Sequence, residues 1–254
     1  MDDPVQTNRF IRYIIDNRKK DIVGLAMTKG NRMTVGKKRS KFVYLITLLL
    51  IMGLPSFLKN SIITLSHKLK KILHSIHLYK DPTNYGYVKK MGIPVFKIRS
   101  ANSQKFLEKL RKLEPDVVIN QSQNIIKKKL IDIPTIGVIN RHNALLPKNR
   151  GRLSPFWVLY KQERKTGISI HFVNEGIDSG CIIVQEKFNI TKKDTFNSIV
   201  KKNYEIAPIA MLKALNKLES GKKMFISNNN DEATYNTVPE LKHAWAYRKR
   251  RFIS

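Results

Sequence analysis

Apolar residues recur along the chain with two different periods, and the period changes from segment to segment. Phe10, Ile11, Ile14 and Ile15 fall at helical spacing after Asp2, Asp3 and Pro4, which predicts a loop entering a helix. Residues 21–28 read as a buried parallel strand, and the basic stretch 30–40 as a loop. Residues 42–58 are strongly apolar and are interrupted by Gly53 and Pro55. Beyond them, lysines at 59, 68, 70 and 71 alternate with Ile62, Ile63, Leu65, Leu69, Ile72, Leu73 and Ile76. A stretch of this length sits at the short limit for a membrane span. It suits either a contact with an anionic membrane surface or, the favoured reading, a helical hairpin packed on the core or on a dimer partner.

The later segments alternate helix and strand. A loop, a short helix and a turn at Gly92 and Pro94 precede a strand at 95–98. Phe106, Leu107, Leu110 and Leu113 mark an amphipathic helix that Pro115 ends. Residues 116–122 predict a further parallel strand, whose polar exit at 120–124 belongs at the ligand-binding end of an open sheet. Ser154 and Pro155 predict a helix entry capped by the serine. In residues 167–173, Ile168, Ile170 and Phe172 share one strand face, and His171 on the other reads as structural. Cys181 opens a partner strand and reads as a small packed residue. Asp194 and Thr195 cap a long helix over 196–220, with Pro208 inside and Gly221 at its end.

The chemistry concentrates in residues 137–180. Gly137, Val138 and Ile139 lead from a strand into polar residues, and Asn140 and His142 are two apart, so an extended backbone turns both to one face. There an amide donor stands beside an imidazole able to exchange a proton near neutral pH. Asp178, between Gly176 and Gly180, completes a trio by orienting and charging the ring. Such a trio suits acyl transfer to an amine. Asn140 and protonated His142 stabilise negative charge on the carbonyl oxygen, while His142 with Asp178, or a water between them, takes the amine's proton. No serine or cysteine stands at nucleophile spacing, so direct transfer is the natural route.

Asn140-x-His142, Leu145-Leu146-Pro147, Arg150-Gly151, Thr166-Gly167 and Gly176-Ile-Asp178-Ser-Gly180, in that order, resemble the pattern of the 10-formyltetrahydrofolate-dependent formyltransferases. The resemblance implies an α/β, Rossmann-like domain with a mostly parallel sheet, an inserted helical segment at about 42–80 and a short C-terminal tail. It implies a catalytic domain over 1–227 and a basic tail over 228–254, which reaches toward the acceptor or frays into solvent. It implies catalysis by Asn140, His142 and Asp178, and places the donor 10-formyltetrahydrofolate along Ala144, Leu145, Leu146, Pro147 and Gly176. Ala144 stands where the family often has serine. Relatives begin with a strand before the first helix; here the chain starts where that strand should have ended, which leads us to suspect a start further upstream. The expected acceptor is a primary amine on a nucleotide-linked sugar, since no tRNA-binding domain follows. A methionyl-tRNA formyltransferase-like enzyme, or a catalytically silent basic scaffold at nucleic acid or membrane, are the alternatives.

Composition changes this picture little. At 254 residues and 42% hydrophobic content, the chain can bury a full α/β core. A single cysteine excludes an internal disulfide and fits a reducing cytoplasm. The six histidines form no ligand cluster with carboxylates, so no metal is expected. No basic-then-apolar leader opens the chain. The formal charge of +29 allows nucleic acid, anionic lipid or polyanionic substrates as partners. The lysines are dispersed and no RNA- or DNA-binding motif accompanies them, so solvated surface charge is favoured over nucleic-acid binding.

Overall fold

A computed structural model describes residues 3–5, 7–28, 40–122 and 125–253, the side chains at 41 and 251–253 excepted. All but the last residue of the basic 30–40 stretch, and 123–124 of the polar exit, lie outside these. The chain divides into two compact units. One holds residues 1–30, 58–118 and 122–137; the other holds 31–57, 119–121 and 138–254.

In the first unit, helix α1 (Thr7–Arg18) leads through a short 3-10 turn to strand β1 (Leu25–Thr28). β1 pairs in parallel with β2 (Val95–Ile98), in register Leu25 to Val95. The pairing agrees with the expectation, but β1 is shorter than predicted and only partly buried. Ile15 of α1 packs with Val88 of helix α4 (Asn84–Lys90) and with Ile93, so helical spacing in the sequence becomes one small core. Helix α5 (Gln104–Leu113) buries Phe106, Leu107 and Leu110, its predicted apolar side.

The apolar stretch 42–58 forms helix α2 (Lys41–Met52) and the start of α3 (Leu54–Ser75). Gly53 separates them at φ 78, a conformation natural to glycine. The two helices have opposite fates. Ile51 of α2 is buried with Phe156, Trp157, Phe196, Ala244 and Tyr247. α3 has no buried residue. Among the described residues no single helix is long and apolar enough to cross a membrane; only the α2–α3 pair passes such a test jointly.

The second unit is built on strands β4 (Gly137–His142), β6 (Lys165–Phe172) and β7 (Ile182–Asn189), in a sheet ordered β3–β4–β6–β7 with β3 at Val117–Asn120. β4 pairs antiparallel with β6, and β6 antiparallel with β7. The α/β class stands, but the sheet is mixed rather than mostly parallel. The loop 173–181 is too short for the crossover that parallel strands need, so β6 and β7 close as a hairpin. β6 is buried on both faces, with Ile168, Ser169, Ile170 and His171 all at 2% exposure or less. Cys181 is exposed rather than packed. It lies at the hairpin entrance, where its carbonyl accepts the Phe172 N–H and its side chain alternates away from buried Ile182.

Two short strands, β5 (Arg150–Gly151) and β8 (Tyr235–Asn236), pair in parallel. α6 (Lys128–Ile131) and α7 (Ser154–Tyr160) are short. α8 (Phe196–Glu219) begins in a reciprocal box in which Thr195 caps Ser198 and Ser198 caps Thr195. The chain ends in α9 (Leu241–Ile253), whose Ala244 and Tyr247 are buried against the α2 cluster.

Candidate active site

β4 delivers His142 to a buried position, 5% exposed, and its ring is held from both sides. Nε2 lies 2.7 Å from the Asn149 carbonyl, with the Ser154 hydroxyl at 3.2 Å. Nδ1 lies 3.3 Å from Asp178 Oδ2. A proton on Nε2 is donated to the carbonyl, which leaves Nδ1 as the nitrogen that exchanges a proton against the carboxylate. Ser154 does not cap α7 as predicted. Leu153 occupies the cap position at φ 56, and the Ser154 hydroxyl turns to the histidine.

The carbonyl that fixes Nε2 is itself fixed. Asn149 is 1% exposed and all its polar groups are engaged: its N–H donates to Thr234 Oγ1, its Nδ2 to Glu163, and its Oδ1 accepts from Lys161 and Asn236. Burial pushes the Lys161 ammonium pKa down, against the pull of Glu163. Asn149 is therefore held by Thr234 and Asn236, at and beside β8, and by Lys161 and Glu163 after α7, contacts that sequence spacing did not reveal.

Asp178 reaches His142 because its backbone is left-handed, at φ 49. Asn149 and Leu153 are left-handed too, both at φ 56. Aspartate and asparagine adopt this conformation readily, whereas leucine does so at a cost, and three such residues framing one histidine mark a site held against local preference. The Gly151 N–H donates to Asp178 Oδ2 at 2.8 Å. Gly151 sits at φ 95, and a Cβ there would come within 2.2 Å of the Asn236 carbonyl, so only glycine fits. From the far side, Asn228 Nδ2 donates to the carbonyls of Asp178 and Gly180. Asn228 is itself held by Arg150, a fully buried guanidinium that also binds Asn230. Between these segments lies a polar cleft of about 460 Å³, lined by Arg150, Asn174, Gly176, Ser179, Asn230 and Tyr235 among others.

The β4–β6 register sets Asn140 opposite His171, so the two share a face with His142. Asn140 is half-buried. His171, read from the sequence as structural, approaches the trio: its Nε2 is 3.6 Å from Asp178 Oδ1 and its ring stands edge-on to His142 at 6.5 Å. Its Nδ1 lies 2.7 Å from the Phe172 carbonyl, while Nε2 is buried with no hydrogen-bond partner. Burial pushes His171 down to about 4, against the raising effect of the Asp178 carboxylate, so the ring is neutral at neutral pH. Nothing in the sequence alone signals this role, because it depends on strand register.

The residues expected to contact a donor are placed unequally. Ala144 and Leu146 are buried. Ser169 Oγ donates to the Ala144 carbonyl and accepts the Leu146 N–H, and Gln185 Nε2 donates to the Leu146 carbonyl. Leu145 and Pro147 are half-buried and Gly176 is exposed, so these three keep surface for a ligand. Among the described residues, no group of three His, Cys, Asp or Glu side chains could hold a metal ion.

Known proteins resemble this chain over part of its length. Methionyl-tRNA formyltransferase of Kosmotoga olearia is 34% identical over 145 residues, 57% of this chain and 47% of the relative. The bifunctional polymyxin resistance protein ArnA of Wigglesworthia glossinidia brevipalpis is 38% identical over 114 residues, 44% of this chain and 17% of that one. The chain thus spans about half the length, or less, of these curated relatives. An N-formyltransferase structure from Helicobacter canadensis, in complex with folinic acid and dTDP-3-aminofucose, superposes with a TM-score of 0.51 at 20% identity, covering 61% of this chain and 54% of that one. This last likeness shows the fold. The formyl transferase family matches residues 53–215, which include the whole of β4, the Asp178 loop and the hairpin that carries it, and the chain belongs to that family.

Proposed function

We propose that this protein transfers a formyl group from 10-formyltetrahydrofolate to a primary amine, with Asn140, His142 and Asp178 as its catalytic residues. The observation that carries the reading is the His142–Asp178 pair at 3.3 Å, in a chain of this family, with Asn140 on the same face of the strand. The donor supplies a formyl carbon attached through nitrogen; Leu145, Pro147 and Gly176 are the residues with surface left to hold it.

The geometry supports a role for each residue. A bond forms between the amine nitrogen and the formyl carbon as the bond from that carbon to the donor nitrogen breaks. The Asn140 amide donates to the carbonyl oxygen as its negative charge grows. His142 cannot turn Nε2 toward that oxygen without leaving the Asn149 carbonyl, so its contribution is the charge it carries once Nδ1 is protonated. Asp178, 14% exposed and fixed by the Gly151 N–H, stands where the amine's proton can be taken up, directly or through a water, and passed to the departing nitrogen.

For the acceptor we favour an amino sugar linked to a nucleotide. The support is analogy with the sugar N-formyltransferases that share the fold, together with the polar, amide-lined cleft beside the Asp178 loop. Charged tRNA is the second reading, favoured by identity to methionyl-tRNA formyltransferases and by the +29 charge. Release of tetrahydrofolate, followed by absorbance with a panel of nucleotide-linked amino sugars and with methionyl-tRNA, separates the two. Acceptor-dependent release that disappears in Asn140→Ala, His142→Ala and Asp178→Ala establishes the reaction. Turnover that persists in all three would falsify the assignment of the site.

A further inference from the structure

α3 carries more apolar residues than a helix that only covers a core requires. Leu58, Ile62, Leu65, Leu69, Ile72 and the adjoining Ile76 recur at steps of four and three, so they form one stripe along the helix. Every one of them is at least half exposed, from 50% at Leu58 to 65% at Ile62. The half-buried side of the same helix carries Phe57, Ile63 and Leu73 together with the polar Asn60, Thr64 and His67, so the exposed stripe is a second apolar face. Six aligned aliphatic side chains in water form a contiguous apolar patch, of the kind that marks an interaction surface rather than scattered surface residues.

Charge selects the occupant. By helical rotation Lys68 borders one edge of the stripe, and Lys59 and Lys70 border the other. From residue 22 to residue 80 the sequence holds no aspartate or glutamate, against eleven lysines and arginines. Two copies packed stripe to stripe would bring lysine-only helices together with no acidic partner at the flanking positions, which opposes self-association. An anionic bilayer satisfies both features at once. The aliphatic stripe enters the acyl boundary, and the flanking lysines meet lipid phosphates. α3 alone is not long and apolar enough to cross a membrane, which suits a helix that lies along a surface.

We infer that the face of α3 over residues 58–76 docks the protein on an anionic membrane surface. This does not depend on the formyl-transfer reading, and its test does not use turnover. The full chain is floated with phosphatidylcholine vesicles, with and without phosphatidylglycerol, over a series of salt concentrations. The expected result is binding to the anionic vesicles that weakens with salt. The combined variant Ile62→Gln/Leu65→Gln/Leu69→Gln, which keeps every charge, is expected to lose roughly a hundredfold in vesicle affinity. Lys59→Gln/Lys68→Gln is expected to lose roughly thirtyfold at low salt. All five positions are exposed, and an unchanged far-ultraviolet circular dichroism spectrum shows that each variant folds. Equal binding by the triple variant would overturn the proposal, because the general positive charge would then account for the attraction. So would absence of binding to anionic vesicles. A concentration-dependent dimer that the triple variant abolishes, without vesicle binding, would instead make the stripe a contact between copies.

Discussion

The cluster around Asp178 and the outer face of α3 depart from the usual rule of burial in opposite directions. Around Asp178, polar and ionisable groups are packed inside: His142, His171, Asn149, Arg150 and Ser154 are all 5% exposed or less. Along α3, large aliphatic side chains face water. A buried polar group costs free energy unless its partners are supplied, and here residues 228–236 supply several: Asn228 and Asn230 hold Arg150, and Thr234 and Asn236 hold Asn149. An exposed apolar stripe is tolerated by the fold but offers free energy to whatever covers it. Each departure makes sense as provision for a ligand, a small reactant in one case and a surface in the other.

The largest expected effect tests the buried half of this contrast. Asp178→Asn keeps the shape and removes the charge, and should lower turnover by about 10²–10⁴. His142→Gln should do the same, measured as tetrahydrofolate release at saturating acceptor. If the folded variants kept full turnover, the cluster would be merely structural.

Next in size is a pair of truncations on neighbouring helices. Ile51→Ala in α2 should cost about 2–4 kcal/mol, because a packed core site loses volume that it cannot refill. Leu65→Ala in α3 should change stability by no more than about 0.5 kcal/mol. Denaturant unfolding of both variants sharpens the comparison; equal costs would mean that the stripe is covered in solution.

His171 gives a pH signature of about 3 kcal/mol. Its ordinary value is 6.5 and burial pushes it down to about 4. Between those limits the unfolded chain binds a proton that the folded chain does not. Its stabilisation is therefore complete above about pH 6.5 and is lost as the pH falls toward 4. Unfolding free energy measured across this window should fall in the native chain and fall less in His171→Gln. Asp194 contributes elsewhere. Burial works against its charge, but bonds from Lys202, Thr191 and Ser198 outweigh this and hold the carboxyl well below its usual 3.8, so its stabilisation is lost only under more acidic conditions.

Ser154→Ala should have the smallest effect in the cluster, about 1 kcal/mol in stability and a few-fold in turnover, because Nε2 keeps the Asn149 carbonyl. A larger loss of turnover with unchanged stability would promote the hydroxyl to a positioning role for the ring.

Much of the local structure was legible in the residues themselves. The helical spacing of Phe10, Ile14 and Ile15, the amphipathic run at 106–110, the Thr195 cap and the approach of Asp178 to His142 all follow from spacing, turn chemistry and the ordered motif. These depend on neighbours in the chain, where a residue's own conformational preference counts most. The errors have one cause. The mixed rather than mostly parallel sheet, the exposure of Cys181 and the turn of Ser154 toward His142 depend on register and on packing partners distant in sequence.

By itself, then, the sequence determined which segments form the main helices and strands, where its ionisable residues concentrate along the chain, and that the chain is overwhelmingly basic. Only the tertiary structure decided which of two adjacent apolar helices would be covered, and that two histidines would face one carboxylate. Both decisions are questions of what lies opposite a side chain. Periodicity states that a residue points to one face, but the energy of that face depends on the segment folded against it, and that segment is distant in sequence.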